Sequence, residues 1–287
     1  MIALADREAA MHSRHPWDDA AVGWNEHTRV IREWLNDATR MMLDAAQLKP
    51  GSRVLDIAAG AGDQTLDIAR RVGENGYVLA TDISTHILAL AQRNAEAEGF
   101  VQVETRVGDA QSLQLNGSNF DAAVSRLGLM FCSEPIAALQ RARAALKPGG
   151  RFSALVFAGP QNNACLAITM RTALKHAGLT AKSPFPFTPG TLMSLGKPGL
   201  LAQLLTNAGF ADINVQPVAA PFRLPTSRHY VEFLRSAASP VIEIIGSLSM
   251  PAQRDAWDDM TTQLNVFTTP TGWVGPNELL LATATAR

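Results

Sequence analysis

Two cysteines in 287 residues, Cys132 and Cys165, are too few for a disulfide framework, and their spacing matches no zinc site. Both read as free thiols of a reducing compartment. No apolar run approaches the roughly 18 residues of a membrane span. The first twenty residues mix two arginines, two histidines and several acids where a signal peptide needs an apolar stretch. Charge of neither sign dominates: 25 Lys and Arg face 26 Asp and Glu, for a net −1, and no basic cluster marks a nucleic-acid face. Repeats and low-complexity segments are absent as well. These absences predict a cytoplasmic protein with a small-molecule rather than a nucleic-acid partner; they leave the oligomeric state open. What is present is enough apolar material for a full core, with 47% hydrophobic and 18% charged residues.

Along the chain, apolar periodicity predicts a helix over 21–48, carrying Val30, Ile31, Trp34, Leu35, Met41, Met42 and Leu43. After the break LKPGS, strands and helices alternate: strand 53–58, helix 63–72, strand 77–83, helix 84–98, strand 101–109, strand 120–127, helix 134–146, a KPGG turn, and strand 151–158. Such alternation implies βαβ units and a parallel sheet covered on both faces, with ligands at the carboxyl ends of the strands. The pattern then loosens into helix 162–177, a proline-rich stretch, helix 198–208 and strand 211–219. Two or three helices follow over 220–270, then a closing strand over 275–286. The seven strands predict a doubly wound, mostly parallel α/β sheet with an N-terminal helix and an all-helical cap. The divisions are 1–48 as lid, 49–160 as core, and 161–287 as cap segments plus the last core elements.

The chemistry concentrates in VLDIAAGAGDQT, residues 54–65. A dinucleotide-binding turn has G-x-G-x-x-G, and here the third position is Thr65. The third glycine serves close helix–strand contact, so its absence weakens an NAD reading. Asp56 adds an anion where a pyrophosphate would lie and favours an amino-bearing ligand instead. Asp82 ends the second strand and can accept from ribose hydroxyls. Asp109 follows the third.

Together these stretches resemble the class I S-adenosylmethionine-dependent methyltransferases, with Ala58 at the first glycine of their motif. The resemblance implies a Rossmann-like fold and S-adenosylmethionine as cofactor. It implies that Asp56 faces the methionine amino group, that Ala58, Gly60 and Gly62 form the turn along the sugar and amino-acid portion, and that Asp82 takes the ribose. It places Ile83 on the adenine, Asp109 at its amino group, and the Ala110 amide against the ring. SRLGLMFCSEP at the end of the fourth strand is similar to the small-molecule group related to the ubiquinone/menaquinone-biosynthesis C-methyltransferases. The metal site of catechol-type enzymes and the motif of DNA and glutamine methylators are missing, so no metal is expected.

Several residues carry two readings. Arg126 orients an anionic or carbonyl-bearing acceptor beside the methyl donor, or pairs with a structural acid. His229, in SRHYVEF, is a candidate general base or a surface histidine. Trp17, Trp24 and Trp34 form a lid or helix packing, with Trp24 the best lid candidate. Trp24, His27, Met130 and Phe131 are the candidate acceptor contacts. The expected activity is methyl transfer to a small, fairly hydrophobic O-, C- or N-acceptor. An NAD-dependent oxidoreductase, a macromolecule methyltransferase and a non-catalytic cofactor binder are the alternatives.

Overall fold

The computed structural model describes residues 16–115, 117, 119–179 and 187–287. Most of the first twenty residues, and part of the proline-rich stretch, lie outside them. Helices α1 (Pro16–Glu26) and α2 (Thr28–Ala45) open the fold. They replace the single helix expected over 21–48. His27 interrupts the helical conformation, although its carbonyl still accepts from the Ile31 N–H at 3.0 Å. The core then runs β1 (Arg53–Ile57), α3 (Asp63–Val72), β2 (Tyr77–Asp82), α4 (Thr85–Ala97), β3 (Val103–Val107), β4 (Phe120–Arg126), α5 (Pro135–Ala145) and β5 (Leu146–Phe157). The remainder is α6 (Ala164–His176), α7 (Leu200–Asn207), β6 (Phe210–Ala219), β7 (Phe222–Leu224), α8 (Ser227–Ala237), α9 (Ser239–Gly246), α10 (Met250–Leu264), β8 (Thr268–Thr269), β9 (Gly272–Gly275) and β10 (Glu278–Ala286).

Seven strands form one sheet in the order β3-β2-β1-β4-β5-β10-β6. Six strands point the same way; β10 alone is reversed, running antiparallel to both β5 and β6. The central strands are buried on both faces, which is why VLDI and FDAAVSR read as apolar runs rather than alternations. Strand order reverses between β1 and β4, so a crevice opens at their carboxyl ends. The KPGG turn does not precede β5 as expected but interrupts it. The ladder with β4 shifts register between Phe120↔Leu146 and Ala122↔Arg151.

Helices α8, α9 and α10 form the cap, packing on one another and on α6. The cap is not all-helical: β7, β9 and β8 make a separate three-stranded antiparallel sheet. Trp273 on β9 is fully buried there, stacked on Tyr230 at 4.9 Å, and its indole N–H donates to the Leu264 carbonyl at 2.7 Å. Helix α1 lies against both α4 and α8, bridging core and cap. Both cysteines are buried free thiols.

Candidate functional site

A cavity enclosing about 920 Å³, partly open to solvent, lies at the carboxyl ends of β1, β2 and β4. The β1–α3 turn forms its floor. Ala58 and Gly60 are in the left-handed region, at φ +57° and +58°. The Gly60 N–H donates to Asp82 Oδ2 at 3.0 Å, and the Ser84 N–H donates to Oδ1 at 3.0 Å. The Asp82 carboxylate is thereby fixed at the cavity wall. Ser84, not Asp82, caps α4, accepting from the Ile87 N–H at 3.1 Å. Ile83 presents a half-exposed apolar side chain, 42% accessible, to the same space. Gly108, Asp109, Ala110 and Gln111 form the opposite wall.

Two residues of the expected motif, Asp56 and Gly62, stand off the cavity. Asp56 is fully buried and does not line the cavity. Its carboxylate accepts from Gln64 Nε2 at 2.7 Å and Thr65 Oγ1 at 2.6 Å, and Gln64 is the residue that reaches the cavity. Asp56 therefore does not face the cavity as expected; Gln64 stands between its carboxylate and that space. Burial pushes the Asp56 carboxyl up to about 6, against the hydrogen bonds from Thr65 and Gln64. Gly62 is also off the cavity. It starts α3 at φ +89°, and an added Cβ there would meet Ala91 of α4 at 3.0 Å. Close helix packing explains that glycine.

Arg126 borders the cavity, but its terminal nitrogens are committed to structure. Nη1 donates to Thr39 Oγ1 at 2.7 Å, and Nη2 donates to Asp63 Oδ2 at 2.5 Å. Asp63 also accepts from Arg32 Nε at 2.6 Å. Burial opposes ionisation of Asp63, but the two guanidinium groups outweigh it and hold its carboxyl below the ordinary range. The structural-acid reading of Arg126 prevails over an acceptor-orienting one.

A second cavity, of about 570 Å³, adjoins the first. Its wall is apolar and aromatic: Trp34, Met130, Phe157, Leu166, Phe222 and Phe233 belong to it alone. Trp17, Trp24, Leu127 and Phe131 line both cavities and form the boundary between them. Trp17 meets Trp24 edge-on at 6.3 Å and Phe131 at 5.0 Å. Trp34 is not a lid: it stacks on Phe222 at 3.9 Å and donates to the Ala220 carbonyl at 2.8 Å.

Of the candidate acceptor contacts, Trp24, Met130 and Phe131 meet at this chamber, and His27 does not. His27 Nε2 pairs with Ser236 Oγ at 2.8 Å, edge-on to Phe233, fastening the α1–α2 junction to α8. His229 is exposed in the first turn of α8, bonded through Nδ1 to Thr226 Oγ1 at 2.8 Å, and lines neither cavity. Its candidacy as general base is withdrawn on that placement. Cys132 lines the first cavity. Burial, with Asp109 nearby, pushes its thiol up to about 12, so it stays protonated. Sequence reasoning overlooked Gln64, Gln111 and Leu127. Leu127 holds φ +59°, a conformation that no local sequence signal announces.

Residues 54–150 match a family model described as a methyltransferase domain. Over that stretch the chain is similar to a methyltransferase domain. It is 36% identical over 125 residues to the ubiquinone/menaquinone biosynthesis C-methyltransferase UbiE of Teredinibacter turnerae, covering 43% of this chain and 50% of that protein. It is 32% identical over 129 residues to the demethylmenaquinone methyltransferase of Bacillus cytotoxicus, covering 45% and 53%. The chain thus spans about half the length of these curated relatives. The crystal structure of the YcgJ protein of Bacillus subtilis superposes with a TM-score of 0.58 at 18% identity, covering 88% of this chain and 99% of that one, which shows the shared fold. This similarity to a methyltransferase domain does not favour the oxidoreductase alternative. No described helix is long and apolar enough to cross a membrane, and among the described residues no three of His, Cys, Asp and Glu gather as metal ligands would.

Proposed function

We propose that this protein transfers the methyl group of S-adenosylmethionine to a small, fairly hydrophobic acceptor held in the second cavity. The observation that carries the reading is the pairing of two cavities, one walled by fixed carboxylates and a glycine turn, the other by aromatic and aliphatic side chains, which meet at Trp17, Trp24, Leu127 and Phe131.

The residues present fit the cofactor. Asp82 is oriented by two backbone N–H groups to accept from ribose hydroxyls, and Ile83 offers an apolar surface for adenine. Asp109 and Ala110 stand where the adenine edge would lie. Gly60 takes the left-handed turn conformation, at φ +58°, that glycine adopts without strain. Gln64, backed by Asp56, reaches the cavity and would take the amino-acid portion. When bound, the sulfonium supplies an already electrophilic methyl group. The protein's own contribution is then to position the acceptor and exclude water. Trp17 and Trp24 of α1 close over the junction as a lid, and the cap helices complete the acceptor chamber. A cavity with an apolar and aromatic wall suits a small hydrophobic molecule.

The test is incubation with methyl-labelled S-adenosylmethionine and a panel of phenols, quinols and amines. Label should pass to one apolar class. Leu192→Asp, altering a half-buried residue of the acceptor chamber alone, should raise the acceptor KM by about 10-fold or more while leaving cofactor affinity unchanged. An equal loss of both, or no transfer to any apolar acceptor, contradicts the assignment.

A further inference from the structure

We propose that Gln111 is a positioning residue that leaves Asp109 able to accept a single N–H donor from the cavity, and that this gives the site its preference for a 6-aminopurine. The inference rests on the reading that adenine lies at Asp109.

A carboxylate offers about four lone-pair positions. Three on Asp109 are taken by one residue. Its Oδ1 accepts from the Gln111 backbone N–H at 2.9 Å and from Gln111 Nε2 at 3.0 Å; its Oδ2 accepts from the same Nε2 at 3.0 Å. One position remains, on Oδ2, and both residues line the cavity. A single exocyclic N–H matches that vacancy. A 6-oxo purine presents an oxygen there and is repelled.

The other end of the same amide shows that its direction is built in. Gln111 Oε1 accepts from the Glu134 N–H at 2.6 Å and from Ser133 Oγ at 3.0 Å, just before α5 begins at Pro135. Turned over, the side chain would set its carbonyl oxygen against a carboxylate and its NH₂ against an N–H. Glutamine is therefore specified at both ends. Glutamate there would place a second carboxylate against Asp109, and a close carboxylate pair holds a proton that neither would hold alone. A protonated acid donates, and so accepts a 6-oxo base.

The experiment titrates wild type, Gln111→Met and Gln111→Glu with S-adenosylhomocysteine and its deaminated counterpart S-inosylhomocysteine, across about pH 5 to 8, with thermal melts confirming that each variant is folded. Wild type should prefer the amino ligand by about 10- to 100-fold, with little pH dependence. Gln111→Met should lose most of that preference. Gln111→Glu should bind the amino ligand more weakly and the 6-oxo ligand better as pH falls. Two folded variants that keep the wild-type ratio and its flat profile would overturn the role of Gln111 alone. Failure of wild type to bind S-adenosylhomocysteine would overturn the cofactor reading and this inference with it.

Discussion

Ala58 occupies the left-handed region at φ +57°, in the position where the motif of related methyltransferases has glycine. That conformation strains any residue with a Cβ. Its methyl is accommodated by Gly128, since a Cβ on Gly128 would fall 2.1 Å from Ala58 Cβ yet 3.6 Å from Ala58 Cα. The two positions are thus coupled. Gly128→Ala should destabilise the protein by about 1–3 kcal/mol. Ala58→Gly should be neutral or stabilising by up to about 1 kcal/mol. In the double variant the cost of Gly128→Ala should largely vanish, and denaturant unfolding of all four proteins measures the coupling. Additive effects would contradict the contact. Asp56 gives a second prediction at this scale. Unfolded, it titrates near 3.8; buried, near 6. Between those values the native state keeps a proton that the unfolded state has released. The contribution of Asp56 to stability therefore falls as pH rises from about 4 to about 6, by about 3 kcal/mol at most, and levels off above. Asp56→Asn should remove that slope, which melting curves over the same range would show. An unchanged slope would mean that Asp56 is not its source.

Asp63 ties three elements together: Arg32 of α2 and Arg126 of β4 both meet it at the start of α3. Removing one cation leaves a buried carboxylate half-compensated. Arg126→Ala should cost about 3 kcal/mol or more in stability. Arg126→Lys should not restore it, because one ammonium cannot reach both Thr39 and Asp63 as the planar fork does. Activity lost with stability intact would return Arg126 to the acceptor. The alternation of elements that places Asp63 was legible because a parallel core sheet demands continuous apolar strands separated by helices. The three-stranded cap sheet was not. Its strands span two to four residues, too short for a period-2 pattern, and β9 opens and closes on glycine. The break at His27 escaped for a similar reason: apolar spacing carries across it.

For the molecule as a whole, the cofactor half of the site was more legible than the acceptor half. Asp82, Ile83, Asp109 and Ala110 lie at or just beyond the ends of consecutive strands, so their order in the chain is their order around the cavity. The acceptor chamber draws instead on α1, α2, β5, α6 and the cap. No local pattern joins Trp24 to Phe233, and His27 and His229 stood out for their chemistry while the fold turned both elsewhere. The central claim is that the cavity at the β1–β4 switch holds S-adenosylmethionine through Asp82. Calorimetric titration with S-adenosylmethionine, S-adenosylhomocysteine and NAD, on wild type and Asp82→Ala, tests it most directly. The account predicts binding of the first two ligands, weakened about 10- to 100-fold by the substitution, and no binding of NAD. Binding of NAD alone, or of none of the three, would contradict it.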